Sequence, residues 1–317
     1  IYLPAETEED GSAYEVANNL IDMVEDIVTL SPDKFTLIKS TDDISSLDIK
    51  NTLGVVLGME NGAPIEGNLS RVQFFYDRGI RYITLTHSKT NHISDSSYDE
   101  NIQWGGLSDF GKQLIEEMNS VGIMVDISHV NDDAFYQAIE ISNTPVIASH
   151  SSLRHFTPGF KRNVDDEMLK ALAKKGGVIQ INFGSSFITE APGLYFDKIK
   201  KYINDQVIDL KNASKEDIDK VRAEFMSNNP FPYANVSLVA DHIDRVVVLV
   251  GIDHVGLGSD FDGVGDSLPE GLKDVSMYPN LIKELLNRGY KKEDIRKILS
   301  GNLLRVWKQV ESYAREN

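Results

Sequence analysis

The chain of 317 residues contains no cysteine. Disulfides, thiolate metal sites and cysteine nucleophiles are therefore excluded together, while the compartment stays open. Positive charge is scarce: 32 Lys and Arg stand against 49 Asp and Glu, a net charge of −17. Such a surface repels phosphate backbones, so nucleic acid and anionic membranes are poor partners. No apolar run approaches the roughly 20 residues of a membrane span, and no leader-like segment opens the sequence. The first residue is Ile1 rather than Met, so the chain reads as a processed or trimmed form. A secretion signal or lipid anchor upstream would leave no trace in it. There is no Gly-rich phosphate loop, no dinucleotide fingerprint and no Ser-His-Asp order signal.

What is present is ordinary globular material, 41% hydrophobic and 26% charged. The length would suit two domains, but α/β barrels commonly reach it as one unit. Six short, apolar, β-branched runs read as buried parallel strands: Leu53–Met59, Ile80–Thr86, Ile123–Ser128, Pro145–Ser149, Gly177–Phe183 and Val255–Ser259. Helical spacing fills several of the gaps, over Leu69–Arg78, Ser108–Val121, Asp132–Ser142 and Asp165–Lys175. Alternating strands and helices predict repeated βα units.

The strand ends carry the decisive pattern. Glu60, His87, His129, His150 and Asp260 each follow an apolar run. A doubly wound sheet gathers its ligand groups at one switch point, whereas a TIM-like (β/α)8 barrel gathers them from the ends of many strands at one face. The barrel is therefore expected, as a single metallo-hydrolase domain over residues 1–317, with a helical insertion at about 190–244 forming a lid or wall. The insertion includes the stretch Tyr195–Leu210 and a charged helix start at Asn212–Lys220. Pro279–Arg288 and Lys292–Val310 read as two amphipathic closing helices. Eight strands are needed and six are visible; Ile1–Leu3 supplies the stub of another, and one more is expected upstream of Ile1.

Neutral imidazoles are common ligands for zinc and similar ions. Two of them from adjacent strands, His129 and His150, with a carboxylate such as Glu60, make a hydrolytic metal site with a position left for water. Taken singly, Glu60 reads better as a solvated turn residue. His87 is a third ligand or a donor to a developing oxyanion. Asp260 can ligate a metal or take a proton from water. Asp262 reads as a turn residue. Arg162 suits bidentate capture of a substrate carboxylate, against a plain reading as an exposed basic residue. His92, His155, His242 and His254 read as surface or structural groups. The set points to metal-assisted hydrolysis.

Seven motifs in order carry a resemblance: Gly58-Met-Glu-Asn-Gly62, Tyr82-Ile-Thr-Leu-Thr-His87, Gly106-Leu-Ser-Asp-Phe-Gly111, Val125-Asp-Ile-Ser-His129, Ile147-Ala-Ser-His-Ser-Ser152, Lys161-Arg-Asn-Val164 and Gly258-Ser-Asp-Phe-Asp-Gly-Val264. Gly301-Asn-Leu-Leu-Arg-Val306 also fits. Together they resemble the membrane (renal) dipeptidase family, the M19 zinc peptidases. The resemblance implies a distorted βα barrel, two zinc ions and hydrolysis of dipeptides, including those with a D-residue at the C-terminal position, by a metal-bridging hydroxide. It implies that Glu60 bridges the ions and that His129 and His150 hold one of them. His87 contacts substrate and stabilises the tetrahedral intermediate, Arg162 binds the substrate carboxylate, and Asp260 handles the proton. A homodimer follows by analogy. The family's His-x-Asp pair, which completes the second ion, does not precede Glu60 in this sequence. A D-aminoacylase-type amidohydrolase and a catalytically inactive peptide-binding barrel are the alternatives.

Overall fold

The protein is described by a computed structural model covering residues 1–48, 50–206 and 214–317. Two strands, β1 (Phe35–Leu37) and β2 (Leu53–Val55), pair in parallel. Six more form the main sheet: β3 (Leu57–Glu60), β4 (Ile80–Thr84), β5 (Met124–Asp126), β6 (Ile147–Ala148), β7 (Val178–Ile181) and β8 (Val255–Leu257). They are parallel and hydrogen-bonded in chain order from β3 to β8. All six apolar runs predicted as strands supply them. The run Leu53–Met59 is divided at Val56, its first part facing β1 and its second facing β4. Ile1–Leu3, expected as a strand stub, bridges β3 on its other side through Tyr2 and Glu60. The sheet does not close among the described residues, so the architecture is a distorted, TIM-like βα barrel.

The crossover helices begin where the sequence supplies a cap. Ser108 accepts from Gly111 N, Asn131 from Ala134 N, Asp165 from Met168 N and Asn235 from Leu238 N. Each cap satisfies an otherwise unbonded N–H of the first turn and sets where the chain leaves the loop. The expected apolar faces turn inward: Val72 and Phe75 on the helix Ser70–Asp77, and Leu114, Ile115 and Met118 on Asp109–Val121, are buried against the sheet. Because every strand runs the same way, every strand C-terminus meets one rim, and that rim carries the polar residues.

Between β7 and β8 the chain forms helices Ser185–Ile188, Ala191–Gln206, Lys215–Asn228 and Val236–Val250. The insertion drawn to Asp244 thus runs into a helix that ends at Val250. Residues 207–210 and 212–213 of the expected helical stretches lie outside the described residues. Ala191–Gln206 and Lys215–Asn228 share a small apolar cluster of their own, Tyr195, Ile199, Ile203 and Phe225. The helix Ala13–Leu30 and the short helix Thr41–Ser46 were not foreseen. The first closing helix is Tyr278–Asn287. The second is not one regular helix: Lys292–Arg296 passes through a five-residue π-helical segment, Lys297–Gly301, into Asn302–Glu316. There Asn302 donates to Ile252 O and Val255 O at 2.7 and 2.8 Å, tying the widened turn to the start of β8.

Candidate metal centre

The rim brings the strand-end residues to one point. Glu60 ends β3; His87, His129, His150 and Asp260 lie just beyond β4, β5, β6 and β8. One Glu60 oxygen, Oε1, lies 3.4 Å from His87 Nε2, 3.2 Å from His129 Nε2 and 3.3 Å from His150 Nε2. His87, open in the sequence to a ligand or an oxyanion-donor role and given the substrate role by the resemblance, has its nitrogen in the same cluster: ligand atoms of Glu60, His87 and His129 all lie within 4.8 Å of one another. His129 and Asp260 hold left-handed backbones, φ 71° and 57°. Such strain costs on the order of 1–3 kcal/mol per residue and persists where the surroundings over-determine it, as at sites of function.

Burial opposes the charge on Glu60, but the His129 and His150 rings beside it outweigh burial and hold the carboxyl well below the usual range. Burial, reinforced by the Arg162 charge, pushes His129 well below its ordinary value; burial lowers His87 as well. Two buried nitrogens, His87 Nδ1 and His129 Nδ1, have no hydrogen-bond partner. A carboxylate with deprotonated imidazole nitrogens around it is a donor set suited to zinc or a similar divalent ion. The residues therefore fit a metal.

Asp260 faces this cluster across the rim. Burial raises its carboxyl above the ordinary value, and Asn182 donates to its Oδ2 at 2.8 Å. Asn182 sits just past β7 and was missed, although a polar residue at a strand end is the same signal that marked the histidines. Asp262 is exposed and lines the cleft; the hydrogen bond that closes its turn runs from Gly263 N to Asp260 O at 3.1 Å. Arg162 is not an exposed basic residue. It is 3% exposed, donates to Ser151 Oγ at 2.6 Å and His150 O at 2.8 Å, and leaves its Nε without a partner. His242 is fully buried, accepting from Leu153 N and donating to Ile188 O, a structural group as expected.

Above the cluster lies a cleft of about 1120 Å³. Its apolar walls include Tyr98, Phe160, Phe187, Leu194, Phe196 and Phe261. Leu194 and Phe196 come from the insertion helix Ala191–Gln206. Among the described residues the lining holds five carboxylates, Glu60, Glu190, Asp197, Asp260 and Asp262, and no Lys or Arg. Cations are favoured there over anions.

Comparison with known proteins agrees with this arrangement. The family described as Membrane dipeptidase (Peptidase family M19) matches residues 1–317. Dipeptidase 3 of Rattus norvegicus is 32% identical over 316 residues, covering 98% of this chain and 55% of its own length. Dipeptidase tcpJ of Claviceps purpurea is 32% identical over 294 residues, covering 93% and 60%. The chain thus spans about half the length of the curated relatives it matches. Among solved structures, the probable dipeptidase PvdM from Pseudomonas aeruginosa superposes with a TM-score of 0.83 at 27% identity, covering 96% of this chain and 82% of that one. A strand-end cluster of one carboxylate and three histidines, in a chain matched along its whole length, places this protein in the membrane dipeptidase family, peptidase family M19.

Proposed function

We propose that this chain is a metal-dependent dipeptidase. The observation that carries the proposal is the convergence of three histidine Nε2 atoms on one Glu60 oxygen, all within 3.4 Å, at the base of a cation-favouring cleft. Glu60, His129 and His150 would hold the ion, zinc by the chemistry of the donor set. When bound, it would polarise the scissile carbonyl and lower the pKa of water.

The protein's own groups divide the remaining work. The raised Asp260 carboxyl is suited to accept a proton from the attacking water and to return it to the leaving amine. Asn182 orients that carboxyl. His87, half-buried beside Glu60, would donate to the developing oxyanion. Arg162 would present its remaining N–H groups to the substrate carboxylate from behind His150. Tyr98, Phe160 and Phe187 would shield the reacting bond from bulk water.

The cleft carboxylates outside those roles, Glu190, Asp197 and Asp262, complement the free ammonium of a dipeptide, which an N-acyl-D-amino acid lacks. That favours a dipeptidase over a D-aminoacylase. The test is hydrolysis, with and without chelator, of a panel of dipeptides with L- or D-residues at the second position and of N-acyl-D-amino acids. Chelator-sensitive cleavage of dipeptides is expected, D-residues at the second position included. Preference for the N-acyl compounds, or tight dipeptide binding without turnover in metal-replete protein, would overturn the proposal.

A further inference from the structure

The three histidines at the centre are not held alike. His87 and His129 have no partner for Nδ1. His150 Nδ1 lies 2.7 Å from Ser149 Oγ. Ser149 Oγ in turn donates to Asp126 Oδ2 at 2.5 Å. Asp126 ends β5, is fully buried and takes no part in the function derived above. Four donors converge on it. Ser128 N and Ser149 N reach Oδ1 at 3.0 and 2.8 Å, while Thr84 Oγ1 and Ser149 Oγ reach Oδ2 at 2.5 Å each.

The proton count in this chain decides a tautomer. A serine hydroxyl has one proton and a carboxylate has none to give. If Ser149 donates to Asp126, its oxygen can only accept from His150, so the His150 proton sits on Nδ1. The lone pair then sits on Nε2, the atom 3.3 Å from Glu60 Oε1 and 2.8 Å from His129 Nε2. The backbone of His150 is fixed as well: its N–H donates to Ser128 Oγ at 3.1 Å and its C=O accepts from Arg162 at 2.8 Å.

We propose that Asp126, acting through Ser149, is a positioning pair that locks His150 as the Nδ1–H tautomer and so presets one nitrogen of the metal centre. Outer partners of this kind fix ring orientation and tautomer and are typically worth 10–100-fold in metal affinity. The functional meaning rests on the metal reading given above; the tautomer does not.

Asp126→Asn separates the lock from simple packing. The two backbone N–H groups hold the amide oxygen at the Oδ1 position, so the amide nitrogen takes the Oδ2 position and donates to Ser149 Oγ. Ser149 must then donate to His150 Nδ1, which moves the ring proton to Nε2. An isosteric change thus reverses the relay. Metal-free protein labelled with 15N-histidine, examined by long-range 15N–1H correlation, reports the tautomer, and competition with a chelator of known strength reports zinc affinity. In the parent, His150 should carry its proton on Nδ1. In Asp126→Asn it should carry it on Nε2, with zinc affinity lowered roughly 10–100-fold. Ser149→Ala should populate both tautomers and lose less affinity. A parent proton on Nε2, or parent-like tautomer and affinity in Asp126→Asn, overturns the lock. If the parent binds no zinc, yet parent and Asp126→Asn each show the tautomer expected of them, the metal reading sinks and the lock stands. Should Asp126→Asn fail to fold, Ser149→Ala decides: a sole Nδ1–H tautomer without that hydroxyl overturns it.

Discussion

His129 Nε2 lies 2.8 Å from His150 Nε2, and both lie within 3.3 Å of the same Glu60 oxygen. Two imidazole nitrogens that close, with lone pairs inward, repel unless a proton or a cation stands between them. The arrangement makes metal binding a joint property of residues from three strands. His129→Ala and Glu60→Gln should each lower zinc affinity by more than the roughly 10–100-fold expected for losing an outer partner. Chelation should abolish dipeptide hydrolysis, and added zinc should restore it. Elemental analysis and a chelator titration check both statements; unchanged zinc content in either variant would place the ion elsewhere.

Asp260 is held by Asn182 and faces the centre without joining the histidine cluster. Asp260→Asn should therefore leave zinc content near that of the parent and reduce kcat by roughly 10²–10⁴-fold, the usual worth of a general acid–base group. Steady-state kinetics beside metal analysis separate the two effects. Parallel loss of zinc would reassign Asp260 as a ligand.

His242 links folding to pH. Burial depresses its pKa to about 4, and Leu153 N–H already points at its Nδ1. The unfolded chain binds this proton near pH 6.5, the folded chain only near 4. Between those values the unfolded state carries more protons, so stability rises with pH across the window. Full neutrality at pH 7 corresponds to on the order of 3 kcal/mol relative to pH below 4. Denaturant midpoints measured from pH 4 to 7 should climb, and His242→Phe should flatten the climb while lowering the plateau.

Gly258 follows β8 and packs against β7 and the residue just past β6. A Cβ there would meet Ser149 O at 2.1 Å and Gln180 O at 2.9 Å, both backbone atoms. Gly258→Ala should destabilise by about 1–3 kcal/mol. Because Ser149 would be displaced with its neighbour His150, zinc affinity should fall with it. A calorimetric Tm and a zinc titration on the same sample give the two readouts.

Leu194 and Phe196 are 57% and 52% exposed at the lip of the cleft. Truncating either to Ala should raise KM for dipeptides with large apolar side chains about fivefold, on the order of 1 kcal/mol of lost contact, and leave kcat unchanged. A fall in kcat instead would give the insertion helix a part in the chemistry.

The βα alternation and the strand-end residues were legible because both follow from local pattern. Apolar runs of four to eight residues, β-branched and set between helices, point to strands by their length and composition, and in a parallel barrel every strand end meets one rim. Glu60, His87, His129, His150 and Asp260 could therefore be named before their distances were known. The helix Ala13–Leu30 was not read, and the π-helical segment Lys297–Gly301 answers to Asn302 gripping the start of β8, a contact between residues some fifty apart in the chain.

What the sequence alone determined is which chemical groups reach the rim and in what order, since strand length and period place them. Tertiary structure decided which atoms face one another. Only there does Glu60 Oε1 collect three histidine nitrogens, Arg162 turn out to be buried behind His150, and Asp126 reach His150 through Ser149. Those relations depend on the stagger between neighbouring strands and on which N–H groups remain unpaired at their ends. Hydrogen-bond direction and burial are properties of the packed assembly, and no local stretch of residues carries them.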